Sequence, residues 1–157
     1  MVMFMITIDT AKKEDIEDMI NLLKQLFEIE KDFIPNYEKQ RKGLELLLDR
    51  EDAVIFVARY NGRVIGMCSI QMLISTAEGG KVGLLEDLIV NEKFRGRGIG
   101  TKLLLEAERY CKENGFLRLS LLADKDNIKA LEFYKLRGWK FTNLICLRKF
   151  FGGDRVE

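Results

Sequence analysis

The chain has 157 residues, of which 47% are hydrophobic and 32% charged, and its net charge at neutral pH is +1. This length suits one globular domain with its own core, and the near-zero charge excludes the basic surface typical of nucleic-acid-binding proteins. No apolar stretch approaches the length of a membrane-spanning helix, so we expect neither nucleic acid nor a membrane as a partner.

Histidine is absent, and its absence limits the chemistry of the chain. Serine–histidine–aspartate catalysis, cysteine–histidine catalysis and histidine-ligated zinc are excluded, so acid–base work must fall to Asp, Glu, Tyr, Lys or Cys. We expect no metal. The three cysteines, Cys68, Cys111 and Cys146, are scattered without C-x-x-C spacing. This pattern is typical of core thiols in a reducing compartment, here the cytoplasm.

The first fifty residues predict a strand and two helices. Residues 1–8 (MVMFMITI) are apolar without a basic flank, which favours a first strand over a signal peptide. A helix is predicted from Ala11, because apolar residues recur at helical spacing as far as Phe27. A second helix follows Pro35. The acids between the two helices are Glu28, Glu30 and Asp32. A solvated helix end is the favoured interpretation of these acids, and the mouth of a substrate site is the alternative.

Three antiparallel strands are predicted next. Residues 53–59 (AVIFVAR) and 63–74 flank Asn61-Gly62, a strong signal for a hairpin turn. A third strand covers residues 84–90, and two carboxylates interrupt its apolar run: Glu86 and Asp87. Since side chains alternate along a strand, the two carboxylates should point to opposite faces, so only one of them can face a site.

A glycine-rich turn, RGRGIG at residues 95–100, connects this strand to a helix that ends at Gly115. Alternate glycines let the backbone adopt positive φ and approach a ligand closely. The first N–H groups of the helix lack intrahelical acceptors and lie at the positive end of its dipole. Arg95 and Arg97 add positive charge. The turn is therefore predicted to bind an anion, most commonly a phosphate.

The last part of the chain predicts a strand, a helix and a closing β-structure. Residues 117–123 (LRLSLLA) follow a helical crossover, so this strand should lie parallel to residues 84–90. A turn at residues 124–127 should cap a helix that ends at Gly138. Residues 139–141 are predicted to open a closing strand, and residues 144–150 to form either a last strand or the continuation of that closing strand.

The spacing G-x-G-x-G fits neither the Walker A motif nor the dinucleotide-binding motif G-x-G-x-x-G. It resembles the R/Q-G-x-G-x-G/A pattern of the GNAT superfamily of N-acetyltransferases, through Arg95, Gly96, Gly98 and Gly100. A second family segment, N-x-x-A-x-x-x-Y-x-x-x-G-F/W, is matched by Asn127, Ala130, Tyr134, Gly138 and Trp139. The resemblance covers residues 84–141. Within the superfamily, the chain looks most like the spermidine/spermine N-acetyltransferase branch.

The resemblance implies an α/β (α+β) fold with a mixed central sheet of about six to seven strands, flanked by about four helices. The two central parallel strands would splay apart. Residues 1–157 would form a single N-acetyltransferase domain, with its acetyl-CoA-binding core at residues 84–141. The resemblance leaves open a homodimer as the assembly.

The resemblance also implies transfer of an acetyl group from acetyl-CoA to a primary amine of a small, cationic acceptor by direct attack. Tyr134 would be the general acid and Glu86 the base, although a core tyrosine and a merely charge-binding glutamate are the alternatives. The implied cofactor-binding residues are Leu88, Ile89, Val90, Arg95, Gly96, Arg97, Gly98, Ile99, Gly100, Thr101, Asn127 and Ala130. The pantetheine arm would pair with residues 88–90, and the turn would hold the pyrophosphate.

Three other functions are weighed at this point. A nucleotide-binding module of the Rossmann type would need a longer sheet and an acid for the ribose, and the short chain and early hairpin argue against it. A non-catalytic acyl-CoA-binding regulator would keep the glycine-rich turn but would not need Tyr134. An acetyltransferase could also act on a protein or peptide amine. Titration with acetyl-CoA and with a dinucleotide, followed by a screen of amine acceptors, would separate these functions.

Overall fold

A computed structural model describes residues 5–152 of the chain. The described residues fall into two compact units, which divide between Leu121 and Leu122. Residues 1–4 of the predicted first strand lie outside the described part, and the prediction of one domain over residues 1–157 stays a prediction. None of the described helices is both long and apolar enough to cross a membrane.

The first unit contains a mixed five-stranded sheet and three helices. Its strands are β1 (Thr7–Thr10), β2 (Ala53–Tyr60), β3 (Arg63–Ser75), β4 (Gly80–Val90) and β5 (Leu119–Leu121). Its helices are α1 (Ile16–Ile29), α2 (Tyr37–Leu48) and α3 (Ile99–Glu113), with short 3-10 turns at Lys13–Asp15 and Glu92–Phe94. The strands lie in the order β1-β2-β3-β4-β5. Neighbouring strands are antiparallel except β4 and β5, whose predicted parallel pairing is confirmed.

The predicted hairpin turn between β2 and β3 is confirmed by its backbone. Asn61 and Gly62 both have positive φ, at 50° and 76°. This combination is required at the two central residues of a type I′ turn, whose twist matches that of the strands it joins. The turn therefore sets the register in which Tyr60 pairs with Arg63.

Helices cover both faces of the sheet. Ile55 and Val57 of β2 lie in the core cluster formed with α1 and α2. Phe56 lies between them in sequence, and its ring instead packs edge-on against Tyr110 of α3, with 5.7 Å between centroids. Alternate residues of one strand thus anchor helices on opposite faces, as the two-residue period of a strand dictates. The buried residues of α1 include all those predicted from spacing except Phe27, which is only partly buried, and Leu22 is buried in addition.

The second unit contains α4 (Ile128–Leu136). The helix ends as predicted at Gly138, which has a φ of 89°. Trp139 N–H donates to the Tyr134 carbonyl, and Gly138 N–H donates to the Lys135 carbonyl, both over 3.1 Å. These two bonds form a Schellman motif, which requires a left-handed residue and so selects glycine.

Two strand predictions were wrong. Within residues 5–152, no strand follows α4, so the sheet has five strands rather than six to seven. The apolar side chains of the predicted last strand are largely exposed, for example 86% at Leu144 and 85% at Leu147. Strand propensity mainly reflects packing on a half-buried surface, and it fails where that surface is absent. Strand β5 is also shorter than predicted, whereas β4 begins earlier, at Gly80.

Candidate acetyl-CoA site

The glycine-rich turn has the backbone conformation that its sequence predicted. Gly96 and Gly98 both lie in the left-handed region, with φ of 77° and 79°. A Cβ added at either position would meet no protein atom within 4 Å. Glycine is therefore required at both positions by the positive φ of the backbone and not by a lack of space for a side chain. The space beside both residues is open and can admit a ligand.

The turn leads directly into the N-terminus of α3. Gly98 is the N-cap residue, and no side chain caps the helix. The Lys102 N–H donates to the Gly98 carbonyl over 3.1 Å, as the first turn of the helix closes. By helix geometry, the N–H groups of Ile99 and Gly100 have no intrahelical acceptor and lie at the positive end of the dipole. Thr101 belongs to the same first turn. Such a helix N-terminus favours an anion.

The helix is held firmly behind this end. Four of its side chains are almost completely buried: Ile99, Leu103, Leu104 and Ala107. The buried Ile99 immediately follows the left-handed Gly98, so the turn cannot shift without moving a core residue. Packing thus fixes the direction in which the N–H groups point.

The two arginines of the turn have different contacts. The Arg95 Nε donates to the Val90 carbonyl over 2.8 Å, so this side chain ties the turn to the end of β4. The Arg97 guanidinium lies over the Phe94 ring, 5.3 Å from its centroid. Both cations are therefore held next to the helix N-terminus, where they favour a bound anion.

Strand β4 extends beyond its parallel neighbour β5 before it reaches this turn. Its parallel pairing with β5 covers only Gly83–Leu85, opposite Leu119–Leu121. On the other side, pairing with β3 continues to Val90, opposite Gly66. Within the described part of the first unit, residues 88–90 lie beyond the last pair with β5 and have no paired strand on that side. An extended ligand could pair there as an added strand. The Val90 carbonyl already accepts a hydrogen bond from Arg95. A ligand that pairs with Val90 would therefore accept a hydrogen bond from the Val90 N–H group.

A β-bulge interrupts β4 at Asp87. Glu86 pairs with Ser69 and Ile89 pairs with Met67, so Asp87 and Leu88 together lie opposite the single residue between those partners on β3. Asp87 has a φ of 56°, a left-handed conformation that residues other than glycine rarely adopt. A bulge bends its strand and re-aims side chains. The bulge thus breaks the alternation of side chains after Asp87, between Asp87 and Leu88, and the prediction that Glu86 and Asp87 point to opposite faces stays a prediction.

The two carboxylates have different environments. Glu86 is exposed, and its carbonyl accepts a hydrogen bond from the Ser69 hydroxyl over 3.4 Å. Asp87 is partly buried, and burial raises the pKa of its carboxyl to about 7. The negative charges of Glu86 and Glu30 also raise this pKa. The sequence showed two adjacent acids, but it gave no signal that their pKa values would differ.

A solvated helix end explains only two of the three acids at the end of α1. Glu28 and Asp32 are exposed, as this interpretation expects. Glu30 is the C-cap residue of α1 and is half-buried, and its N–H donates to the Leu26 carbonyl over 3.0 Å. Helix α1 packs against β4, and the negative charge of Glu30 contributes to the raised pKa of Asp87. Glu30 therefore acts electrostatically on a carboxyl group of the candidate site.

Asn127, Ala130 and Tyr134 lie together on α4 in the second unit. Asn127 is the N-cap residue, and its side-chain oxygen accepts the Ala130 N–H over 3.2 Å. Tyr134 is half-buried, with its ring 5.2 Å from Phe133 and 5.7 Å from Trp139, measured between centroids. The sequence match at Asn127 thus has a structural reason of its own, and its contact with a cofactor stays a prediction.

The cysteines contribute no reactive group to the core. Burial raises the pKa of the Cys68 thiol to about 12 and that of Cys111 to about 11. Thiols with such pKa values are protonated at neutral pH and are poor nucleophiles. The interpretation of Cys111 as a small buried residue is confirmed.

Comparison with known proteins agrees with this geometry. The sequence model of the acetyltransferase (GNAT) family matches residues 16–139. An uncharacterized N-acetyltransferase of Methanocaldococcus jannaschii is 32% identical over 144 residues, which are 88% of this chain and 62% of that protein. The chain thus spans less than two thirds of this relative's length.

Two further proteins cover most of the chain. An aminoalkylphosphonate N-acetyltransferase of Salmonella typhimurium is 28% identical over 130 residues, 83% of this chain and 82% of that protein. A crystal structure of a predicted acetyltransferase with acetyl-CoA, from Clostridium acetobutylicum, matches with a TM-score of 0.77 at 21% identity. This match covers 92% of this chain and 96% of that one, and it shows the fold. The chain therefore belongs to the acetyltransferase (GNAT) family and has its α/β fold.

Proposed function

We propose that this protein transfers an acetyl group from acetyl-CoA to the primary amine of a small, cationic acceptor. One observation carries the proposal: the left-handed Gly96 and Gly98 lead into the N-terminus of α3, next to residues 88–90, where β4 extends beyond its pairing with β5. An anion-binding turn beside an open strand edge suits a ligand with a pyrophosphate and an extended, amide-containing arm. Acetyl-CoA supplies both, together with a thioester as the acetyl donor.

The cofactor would be held mainly by backbone. Residues 96–101 would bind the pyrophosphate, with Arg95 and Arg97 adding charge, and residues 88–90 would pair with the arm. Asn127 and Ala130 are further proposed contacts, as the family resemblance implies. The Clostridium acetobutylicum structure, described with acetyl-CoA, supports this ligand for the fold.

Two side chains, Tyr134 and Glu86, would transfer protons during the reaction. Tyr134 would donate a proton to the leaving sulfur, since a phenol of pKa about 10 can protonate a departing thiolate. Glu86, exposed at the edge of β4, would attract the protonated amine and pass its proton on through water. Holding the amine close to the thioester would supply much of the rate.

The acceptor is proposed from charge. Glu86 and Asp87 follow the last β4–β5 pair at Leu85, and Glu30 acts on Asp87 from α1. Carboxylates at this place favour a cation over an anion. A polyamine, the substrate type of the spermidine/spermine branch, would place a second positive centre near Glu28, Glu30 or Asp32. The Salmonella typhimurium relative, named for an aminoalkylphosphonate, supports a small primary amine.

The test is a thiol-release assay with acetyl-CoA and a panel of polyamines, amino acids, aminoglycosides, aminoalkylphosphonates and peptides. We expect turnover with cationic small amines, and product mass increased by one acetyl group. Calorimetric titration with acetyl-CoA and with a dinucleotide should show binding of the first only. Acetyl-CoA binding without turnover of any amine would indicate the non-catalytic module instead. Turnover of peptides alone would indicate a protein amine as acceptor.

A further inference from the structure

Asp87 occupies a special position in the backbone of the proposed site. It is one of two non-glycine residues with positive φ within residues 5–152, and the other, Asn61, is explained by its hairpin turn. Asp87 lies in no turn. Its conformation arises at the bulge, where Asp87 and Leu88 share one partner position on β3. A bulge at such a place commonly re-aims a side chain at a functional site.

The bulge also lies where β4 loses its parallel neighbour. The last β4–β5 pair is Leu85 with Leu121, and Asp87 follows two residues later. Residues 88–90, which begin immediately after it, are those proposed to pair with the pantetheine arm. The carboxyl group of Asp87 is thus attached to the backbone beside the place where the thioester end of that arm would lie.

Asp87 interacts electrostatically with three ionisable groups, which belong to three different elements. Glu86 is its neighbour on β4, and Glu30 reaches it from the end of α1. Cys68 of β3 is buried, and the charge of Asp87 helps to raise the pKa of its thiol to about 12, so that thiol stays neutral. Burial and the two glutamates raise the pKa of Asp87 to about 7. A base with a pKa near the working pH is well matched to accept a proton.

We propose that Asp87 is the final acceptor of the proton that the substrate ammonium loses, and that Glu86 binds the ammonium and relays this proton. The inference rests on the proposed function. The ammonium gives one proton to the Asp87 carboxylate and becomes a neutral amine. Its nitrogen lone pair forms the bond to the thioester carbonyl carbon as the carbon–sulfur bond breaks. The nitrogen loses its second proton while the sulfur gains one, and Asp87 then releases its own proton to water.

Glu30 has a distinct part in this arrangement. Its charge makes the carboxylate form of Asp87 less favourable, so it raises the pH at which Asp87 becomes able to accept a proton. Activity should therefore increase with pH through a midpoint near that of Asp87. Substitution of a residue with a purely structural role would leave the midpoint of this pH profile unchanged.

The experiment measures kcat/KM against pH, with acetyl-CoA and a cationic monoamine, for wild type, Asp87→Asn and Glu30→Gln. Asparagine tolerates left-handed φ, so Asp87→Asn keeps the bulge and removes only the base. We expect Asp87→Asn to lower kcat by about 10²- to 10⁴-fold and to bind acetyl-CoA as wild type does. Glu30→Gln should move the acid-side midpoint to lower pH, whereas the control Glu38→Gln, on α2, should leave it in place.

Three results would overturn the inference. A wild-type rate for Asp87→Asn across the pH range would remove Asp87 from the proton path. A loss of acetyl-CoA affinity equal to the loss of activity would show a structural role only. Absence of acetyl transfer by the wild type to any amine would overturn the proposed function and this inference together. In the first two cases the proposed function would stand.

Discussion

Arg59 and Asp15 are joined by two parallel hydrogen bonds, each 2.7 Å long, from the two terminal guanidinium nitrogens to the two carboxylate oxygens. The pair connects β2 to the start of α1. The Asp15 side chain is only 8% exposed, and it also accepts the Lys12 N–H over 2.8 Å. Removing one partner of such a pair leaves a buried charge without compensation.

We therefore expect Arg59→Met to lower the free energy of unfolding by about 3 kcal/mol. The matched control is Arg50→Met, because Arg50 pairs with Asp52 on the surface, where both side chains are more than 40% exposed. An exposed pair of this kind contributes under about 1 kcal/mol. Urea denaturation at pH 7 measures both values, and equal losses in the two variants would contradict the assignment.

The same pair predicts a pH dependence. The hydrogen bond from Arg59 holds the pKa of Asp15 below its usual value. A lowered carboxyl pKa contributes stability above the pKa of the unfolded chain, and this contribution is lost as pH falls through the folded-state pKa. The difference in unfolding free energy between wild type and Asp15→Asn should thus be largest near pH 7 and shrink below about pH 4. A difference that grew on acidification would have the wrong sign.

The glycine-rich turn can be tested with a pair of glycines at opposite ends of α3. Gly98 and Gly115 have φ of 79° and 73°, and a Cβ at either would meet no atom within 4 Å. Valine should cost about 1–2 kcal/mol of stability at each position, because left-handed φ is unfavourable for side chains with a Cβ. Only Gly98→Val should also reduce acetyl-CoA affinity, by at least about tenfold or ~1.4 kcal/mol.

Calorimetric titration of both variants with acetyl-CoA decides this prediction. If Gly98→Val and Gly115→Val bound acetyl-CoA equally well, the turn would have no part in cofactor binding.

The role of Tyr134 is tested by removing its hydroxyl alone. Tyr134→Phe retains the ring that packs against Phe133 and Trp139. We expect kcat to fall by about 10²- to 10⁴-fold, the usual contribution of general acid catalysis, with little change in acetyl-CoA affinity. Tyr110→Phe is the control, since Tyr110 packs against Phe56 in the core and should tolerate the change. Equal kcat in wild type and Tyr134→Phe would indicate that Tyr134 has only a packing role.

The charge of Glu86 should matter most for binding the acceptor. Glu86→Gln keeps the shape of the side chain, so we expect the KM of cationic amines to rise by about tenfold while the KM of neutral amines changes little. The acid-side midpoint should also move to lower pH, because one of the charges that raise the pKa of Asp87 is lost. Steady-state kinetics with matched cationic and neutral amines measures both effects. A preference of the wild type for anionic acceptors would contradict this role.

Local sequence determined much of the fold and the turn. Asn61-Gly62 specified a hairpin, Gly138 specified a helix end, and the 95–100 segment specified a left-handed turn at a helix N-terminus. Each of these features depends on the φ that a residue allows, which the residue carries with it into any context. The helical faces were equally predictable, because hydrophobic spacing reports which side of a helix is buried.

Tertiary structure decided what depends on partners distant in sequence. Residues 144–150 have strand-forming side chains, yet within the described residues no ladder forms there, since strands require partners that propensity does not supply. The alternation of side chains predicted along β4 requires a regular strand. The register of β4 against β3 instead introduces the bulge, and the end of α1 brings Glu30 to it. The pKa of Asp87 therefore follows from burial and from a charge 57 positions earlier in the chain, which no local pattern encodes.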